Sequence, residues 1–398
     1  MFGGTPVIVD EKKIDAVLTR GVDEVIPSVE ELKKMLMSGK RLRIKLGIDP
    51  TSPNLHFGRS VPLLKLKDFQ DLGHHIVLIV GDATGVIGDT SDKKSERPML
   101  SRQDVKKNAE TYFKQAAIIL GTNFEKRFNS EWLNKISFSE LGEMANQFSV
   151  AEFIARDNIK RRLDEGSRVS LRETLYPLMQ GYDSVAIKAD IELGGVDQRF
   201  NLLAGRTLQE HYKQKPQGIV MTEFPIEGLD GRKMSSSWGN TIAFTEIPDE
   251  MFGKVMSIKD ELVEKYFRII TRVPLERVGE IVAGHPRDAK IALAHELVQM
   301  YHGEAKADKA KENFIKTFSN KEVPEEREII LASVGTPFVE ALTEAGIVKS
   351  KNEARRLIAG GALSSMTTEE VVDDEHATIT KADIFRLGKK KFFEITLK

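Results

Sequence analysis

The sequence predicts an α/β fold: a doubly wound parallel sheet with a helical insertion, then an α-helical region and a small α+β tail. Three observations carry this. Short β-branched runs alternate with amphipathic helical stretches through the first 240 of 398 residues. Strand-like runs cease after about Phe244, where helical spacing takes over. The last 62 residues then mix two helical stretches with renewed strand patterns.

In order along the chain, residues 43–48 alternate and end at Asp49-Pro50, a strand running into a loop. Residues 58–72 carry Val61, Leu64, Leu66, Phe69 and Leu72 at helical spacing, with Gly73 where helices often stop. Residues 74–81 are nearly all apolar, as suits a buried parallel strand. Strand, helix and strand together form a βαβ unit whose crossover is expected to be right-handed. Ser101 and Asp104 open a helix to about 120 in the manner of a capping box, and Ser170 and Glu173 form a full box opening a helix to about 188. A strand at 190–193, a helix at 196–211 and a strand at 219–222 complete the alternation. Residues 123–163, with Trp132 and a helical stretch from Phe138, interrupt it and read as an insertion. Pro248 suits a first helical turn, and helices continue to about 318 with breaks at His285-Pro286 and Gly303. The expected domains are 1–244, 245–320, a charged linker at 321–336 containing Pro324, and 337–398. Tail helices are expected near 337–345 and 351–359, and strands ending at 391–397.

Composition excludes several chemistries. With no cysteine there is no disulfide, thiolate zinc site or cysteine nucleophile. Residues 1–13 reach Asp10, Glu11, Lys12 and Lys13 before any long apolar run, unlike a signal peptide, and no apolar stretch approaches membrane-spanning length. A cytoplasmic protein without membrane attachment is expected. Fifty-nine basic residues against sixty acidic give −1, split as +2 for residues 1–240, −3 for 241–336 and 0 for 337–398. A nucleic-acid partner would therefore have to be met by local basic clusters.

Two motifs point to phosphate chemistry. Gly47-Ile48-Asp49-Pro50-Thr51, followed by His56-Phe57-Gly58-Arg59, places a helix N-terminus at the carboxyl end of a strand. Such a terminus offers free N–H groups to phosphates, and Gly58 lets a base or ribose approach the backbone. An ordinary strand–helix turn would also produce this pattern. Gly231-Arg232-Lys233-Met234-Ser235-Ser236-Ser237 is a hydroxyl-rich basic loop that can close over a polyphosphate, or a solvated surface loop. Tyr176, Gln180 and Asp183 fall at i, i+4 and i+7, on one helix face. Lys93, Lys94 and Arg97 follow the glycine-rich 81–88 segment and can reach the same pocket.

The two phosphate motifs, about 180 residues apart, resemble the H-x-G-H and K-M-S-K-S signatures of class I aminoacyl-tRNA synthetases. Arg59 stands in place of the second His and Ser236 in place of the second Lys. Gly81-Asp82-Ala83-Thr84-Gly85, Gly88-Asp89, Leu175-Tyr176-Pro177, Gly181-Tyr182-Asp183 and Gly194-Gly195-Val196-Asp197-Gln198 resemble the tyrosyl branch, in register over about 43–240. The resemblance implies a Rossmann-like catalytic domain that activates L-tyrosine with ATP and transfers it to tRNA(Tyr). Asp183 would receive the substrate hydroxyl; Asp89, Tyr176 and Gln180 its ammonium group; Thr84 and Gln198 would line the pocket. Thr51, His56, Arg59, Lys93, Arg97, Lys233, Ser236 and Ser237 would serve the phosphates, with Gly47, Asp49, Gly58, Asp197, Met234 and Ser235 around ATP. Lys45 stands where many members carry a tyrosine facing the substrate hydroxyl, which marks a bacterial branch. A site built to bind a hydroxyl rejects the analogue lacking it, an effect for which tyrosyl enzymes are the established illustration. Magnesium would arrive with ATP, with no metal site of the protein's own and no prosthetic group. The resemblance also implies a homodimer built through 123–163 and an anticodon-binding role for the helical region.

In the tail, residues 345–358 resemble a small RNA-binding module that presents Arg355 and Arg356, aided by Lys349, Lys351, Lys389 and Lys390. Its later half departs from type: 363–370 replaces a short turn, and Asp373, Asp374 and Glu375 lower the local positive potential, so modest, salt-sensitive RNA affinity is expected. Two other readings are a tryptophan-activating relative, which should lack Asp183, and an RNA-binding regulator on an impaired synthetase scaffold, to which Arg59 and Ser236 lend support.

Overall fold

The computed structural model describes residues 6–88, 101–223, 226–319, 327–368, 370–388 and 391–398. The chain divides into two compact units, one reaching to Asp308 and one beginning at Lys309. Among the described residues no helix is long and apolar enough to cross a membrane.

The first unit is built on six strands: β1 (Val22–Ile26), β2 (Arg43–Ile48), β3 (His75–Val80), β4 (Glu125–Phe128), β5 (Ile191–Gly195) and β6 (Gly218–Thr222), in the order β1-β6-β5-β2-β3-β4. All neighbours are parallel except β1, which runs antiparallel to β6 at one edge. The continuous apolar run of β3 follows from burial on both faces of the sheet, since successive residues from Ile76 to Val80 are all buried. From β2 the chain steps outward to β3 and β4, then returns to lay β5 on the other side of β2. The sheet therefore has its topological switch between β2 and β5, and a crevice opens at their carboxyl ends.

The elements expected at 43–48, 58–72, 74–81, 190–193, 196–211 and 219–222 are present within about two residues. Four details differ. First, β4 lies inside the expected insertion: Glu125–Phe128 pairs in parallel with Val77–Val80 and extends the sheet before the helices from Ser130 begin. Its three charges and single aromatic, Glu125-Lys126-Arg127-Phe128, alternate between half-buried and exposed as on an edge strand, which an all-apolar template misses. Second, the box at Ser170 is incomplete. Glu173 accepts the Ser170 N–H at 3.0 Å as a box requires, but the Ser170 hydroxyl receives the Arg172 N–H rather than that of Glu173. Glu173 also holds a fully buried, two-pronged ion pair with Arg162 at 2.6 and 3.0 Å. A reciprocal box forms instead at Ser149 and Glu152.

Third, the helices after 244 are not set apart at that boundary. Helix Pro286–His302 carries Tyr301, whose ring stacks on Phe57 and Phe244 with centroids 5.3 and 4.8 Å away. Arg20 donates to the carbonyls of Phe267, Arg268 and Thr271, and Arg272 pairs with Asp68. Aromatic stacking and cation–carbonyl bonds thus make one body of sheet and helices.

Fourth, the stretch expected as linker contains β7 (Glu328–Ala332). In the second unit β7 joins β8 (Leu363–Ser365), β9 (Val371–Val372), β10 (Asp383–Leu387) and β11 (Lys391–Leu397) in the order β7-β11-β10-β8-β9, with β7 parallel to β11. Helices Phe338–Glu344 and Lys351–Ala359 cover a core that includes Phe338, Leu342, Ile358, Phe385 and Phe393. The atypical turn after β8 is fixed by Asp383, which accepts from Ser365 Oγ at 2.8 Å and from the Thr367 hydroxyl.

Candidate active site

A cleft of about 180 Å³ lies at the switch point. Leu46, Gly47, Ile48 and Asp49 from the end of β2 line it, with Leu193 to Gly195, Asp197 and Gln198 from β5 and the turn beyond. Helix Arg172–Ile187 contributes Tyr176, Gln180 and Asp183; the sequence motifs contribute Thr51, His56, Gly58, Arg59, Thr84, Lys233, Met234, Ser235 and Ser236. The fold therefore brings together residues from five separated stretches of sequence. Asp89, Lys93, Arg97, Lys389 and Lys390 lie outside the described residues, as does the Ser237 side chain. Lys349, Lys351, Arg355 and Arg356 are exposed in the second unit.

At the foot of the cleft sits Asp183, 3 % exposed. Trp132 Nε1 donates to one carboxyl oxygen at 2.7 Å and Asn129 Nδ2 approaches the other at 3.3 Å. Burial pushes its pKa from 3.8 up to about 7, a rise opposed by the Lys45 charge and these two donors. From Asn129 a chain of hydrogen bonds runs along the wall. Asn129 Nδ2 donates to Thr84 Oγ1 at 2.9 Å, Thr84 to Asp49 Oδ1 at 2.7 Å, and the Tyr176 hydroxyl to Asp49 Oδ2 at 2.8 Å. Gly81 must be glycine here, because a Cβ would fall 2.2 Å from both Asp49 and Thr84 oxygens.

Lys45 does not line the cleft. It is fully buried one layer behind, on β2, directly opposite Glu192 of β5. Its Nζ lies 2.9 Å from Glu192 Oε1, 2.8 Å from Ser184 Oγ and 3.0 Å from the Gln180 carbonyl. An ammonium group with three good acceptors is held in place, so its part at this site is electrostatic rather than one of direct contact.

The opposite end of the cleft is cationic. His56 caps helix Phe57–Asp71, its Nδ1 accepting the Gly58 N–H at 3.1 Å. The ring proton therefore sits on Nε2. Burial, with Arg59 and Lys233 nearby, lowers the His56 pKa to about 3, so the ring is a neutral donor at any physiological pH. Two main-chain hydrogen bonds fasten this cap to the distant loop, Phe57 N–H to the Ile242 carbonyl and Phe244 N–H to that of Leu55, and together they make an antiparallel bridge of His56 with Ala243. Within the loop, Asn240 accepts the Ser235 N–H at 2.8 Å and donates to Asp230 and to the Lys233 carbonyl. Arg232 pairs with Asp230 and lies over Trp238, 4.6 Å from the ring centroid. Lys233 faces Asp197 across 3.8 Å. Among the described residues no group of three or more His, Asp or Glu is placed to hold a metal ion.

A cleft with one buried carboxylate at its foot and a histidine-capped helix and basic loop at its mouth suits an adenylate-forming reaction. Comparison with known proteins agrees. The family model for class I tRNA synthetases (W and Y) matches residues 37–319. The chain is 46 % identical over 390 residues to the tyrosine–tRNA ligase of Thermotoga maritima, covering 96 % of each. It is 45 % identical to that of Carboxydothermus hydrogenoformans, covering 97 % of this chain and 98 % of the relative. The chain belongs to the class I tRNA synthetases of the W and Y group. The fold of this synthetase is shared with a C-terminally truncated Aspergillus nidulans mitochondrial tyrosyl-tRNA synthetase, with a TM-score of 0.65 at 22 % identity over 77 % of this chain and 94 % of that one.

Sequence reasoning missed several residues that build the synthetase's cleft. Asn129 and Trp132 follow the end of β4, and the signal for them was positional: a parallel strand's carboxyl end faces the crevice. Glu192 had a clearer signal. It is the lone charge in the apolar run Ile191-Glu192-Leu193, as Lys45 is in Ile44-Lys45-Leu46. Two opposite charges in two buried strands call for each other. Asn240 carried no signal, since its work is bonding to backbone within one loop.

Proposed function

We propose that this synthetase is a tyrosine–tRNA ligase. A tyrosine carboxylate oxygen attacks the α-phosphorus of ATP, the bond to pyrophosphate breaks, and tyrosyl-adenylate remains bound. A terminal ribose hydroxyl of tRNA(Tyr) then attacks the tyrosyl carbonyl and AMP leaves. The observation that carries this reading is Asp183, a buried carboxylate at the foot of the cleft, aimed where a phenol hydroxyl would end. A side chain lacking the hydroxyl would cover that buried carboxylate while bringing it no donor beyond Trp132 and Asn129. Neutral His56 Nε2–H, Arg59 and Lys233 are placed to stabilise negative charge on the phosphates, and the protein supplies no nucleophile. Magnesium comes as part of the ATP substrate.

Tyr176 and Gln180 serve the substrate ammonium group, together with Asp89. Asp49, Asp197 and Gln198 serve the ribose and adenylate, and Lys93, Arg97, Ser236 and Ser237 complete the phosphate site. The chain works as a homodimer in the cytoplasm: Phe138, Val150 and Leu171, at 93, 74 and 79 % exposure, are the barest large apolar side chains among the described residues, and all three lie between β4 and β5. The tail binds RNA through Lys349, Lys351, Arg355, Arg356, Lys389 and Lys390. Its affinity is tempered by Glu340, which pairs with Lys351 at 2.9 Å, and by Glu375, 3.9 Å from Arg355.

ATP–pyrophosphate exchange with tyrosine, tryptophan and phenylalanine supplied singly tests the proposal. Exchange is expected with tyrosine alone. Exchange with tryptophan would move the specificity, and none with tyrosine would reject the reading.

A further inference from the structure

The buried pair behind the cleft is complete in its hydrogen bonding. Glu192 Oε2 accepts from Ser184 Oγ at 2.9 Å and from Gln217 Nε2 at 2.5 Å. Oε1 accepts from Lys45 Nζ at 2.9 Å and from Gln180 Nε2 at 3.3 Å. Room for this packing comes from Gly205, where a Cβ would sit 2.6 Å from Gln217 Nε2 and 3.3 Å from Glu192 Oε2. Lys45 holds the same segment from the main-chain side, through the Gln180 carbonyl.

The consequence reaches the cleft through Gln180. An amide can face either way with nearly the same shape, but a carboxylate paired with an ammonium offers lone pairs only. Turned with its oxygen to Glu192, the amide would set two acceptors against each other with no proton between them. Only NH2 can face Glu192, so the Gln180 oxygen is left for the cleft that the residue lines. We propose that Glu192, held by Lys45, Ser184 and Gln217, is a positioning residue that fixes the Gln180 amide so that its oxygen meets the α-ammonium group of the amino-acid substrate. This rests on the tyrosine-activating reading given above.

The test pairs a variant with a change in the ligand. Binding of L-tyrosine and of 3-(4-hydroxyphenyl)propanoate, which lacks the ammonium group, is measured by calorimetry for wild type and Glu192→Gln. A glutamine at 192 can donate as well as accept, so it releases the Gln180 amide to turn. L-Tyrosine should then bind roughly tenfold more weakly, the size of one charge-assisted hydrogen bond, while the ammonium-free ligand changes less than twofold. Equal weakening of both ligands, or of neither, would overturn the proposal. If Glu192→Gln does not fold, Lys45→Met/Glu192→Gln leaves no unpaired charge at this pair and takes its place, with the same outcomes expected. The wild type gives a reading that needs no variant. The side-chain NH2 of Gln180 in 15N spectra should be protected from exchange with and without tyrosine, and protection gained only on binding would count against the assigned orientation. Wild-type protein that fails to bind tyrosine would refute the functional reading instead, so the two failures are distinguishable.

Discussion

Replacing Asp183 with asparagine is expected to stabilise the protein at pH 8 while removing tyrosine activation. The carboxyl is buried and its pKa raised from 3.8 to about 7. Between those values the folded state keeps a proton that the unfolded chain has released. Stability therefore falls as pH rises through this window, and the whole penalty is present above about pH 7. A displacement of about three units at ~1.4 kcal/mol each gives roughly 4 kcal/mol. Asparagine carries no charge to bury, and its oxygen can still accept from Trp132. Its NH2 would face the Asn129 amide, and that lost hydrogen bond returns about 1–1.5 kcal/mol. The net gain is then roughly 2–3 kcal/mol at pH 8, and close to nothing at pH 5, where less than half the penalty remains. Thermal unfolding of both proteins at pH 5, 6, 7 and 8 reads this as a difference in Tm that widens with pH. Pyrophosphate exchange with tyrosine measures the functional loss. A Tm difference that stays constant or narrows toward pH 8 would refute the account of a buried, strained carboxylate, whatever became of activity.

Two more outcomes follow from the geometry. His56→Asn keeps a good helix cap but loses the Nε2 donor, so adenylation should slow by roughly 10²–10³ with tyrosine binding unchanged. Because His56 titrates near 3, no limb of the pH–rate profile between 5 and 8 should vanish in that variant, and a limb that did would contradict the neutral-donor role. Phe138→Asp combined with Leu171→Asp should shift sedimentation toward a monomer, and an unaltered dimer would place the interface elsewhere.

How much of this was legible in the sequence depends on what each residue interacts with. Strands such as 74–81 are legible because burial on two faces demands an unbroken apolar run. The cleft motifs are legible because a cap, a close glycine or a row at i, i+4 and i+7 constrains residue type. β4 was hidden because an edge strand tolerates charges, as Glu125, Lys126 and Arg127 show. The continuity across residue 244 was hidden because Tyr301 meets Phe57 and Phe244 only in three dimensions. Glu173 was legible as a cap and does accept the Ser170 N–H, but its second partner Arg162 lies eleven residues away on another helix, outside any local pattern. Lys45 was expected to face the substrate, and Glu192, across the sheet, is what turns it away.

The Lys45–Glu192 pair also constrains how such a pocket can evolve. Removing either member alone strands a charge in the interior, at about 3–5 kcal/mol, a large part of the ~5–15 kcal/mol that holds a typical fold together. Removing both, with suitable replacements, can cost almost nothing. Each single step away is therefore worse than the state on either side, and a pocket built on this pair leaves it only when two codons change nearly at once. Position 45 and position 192 behave as one inherited character, and a chimera that takes its first half from one lineage and its second from another should fail at this pair before it fails anywhere in the cleft.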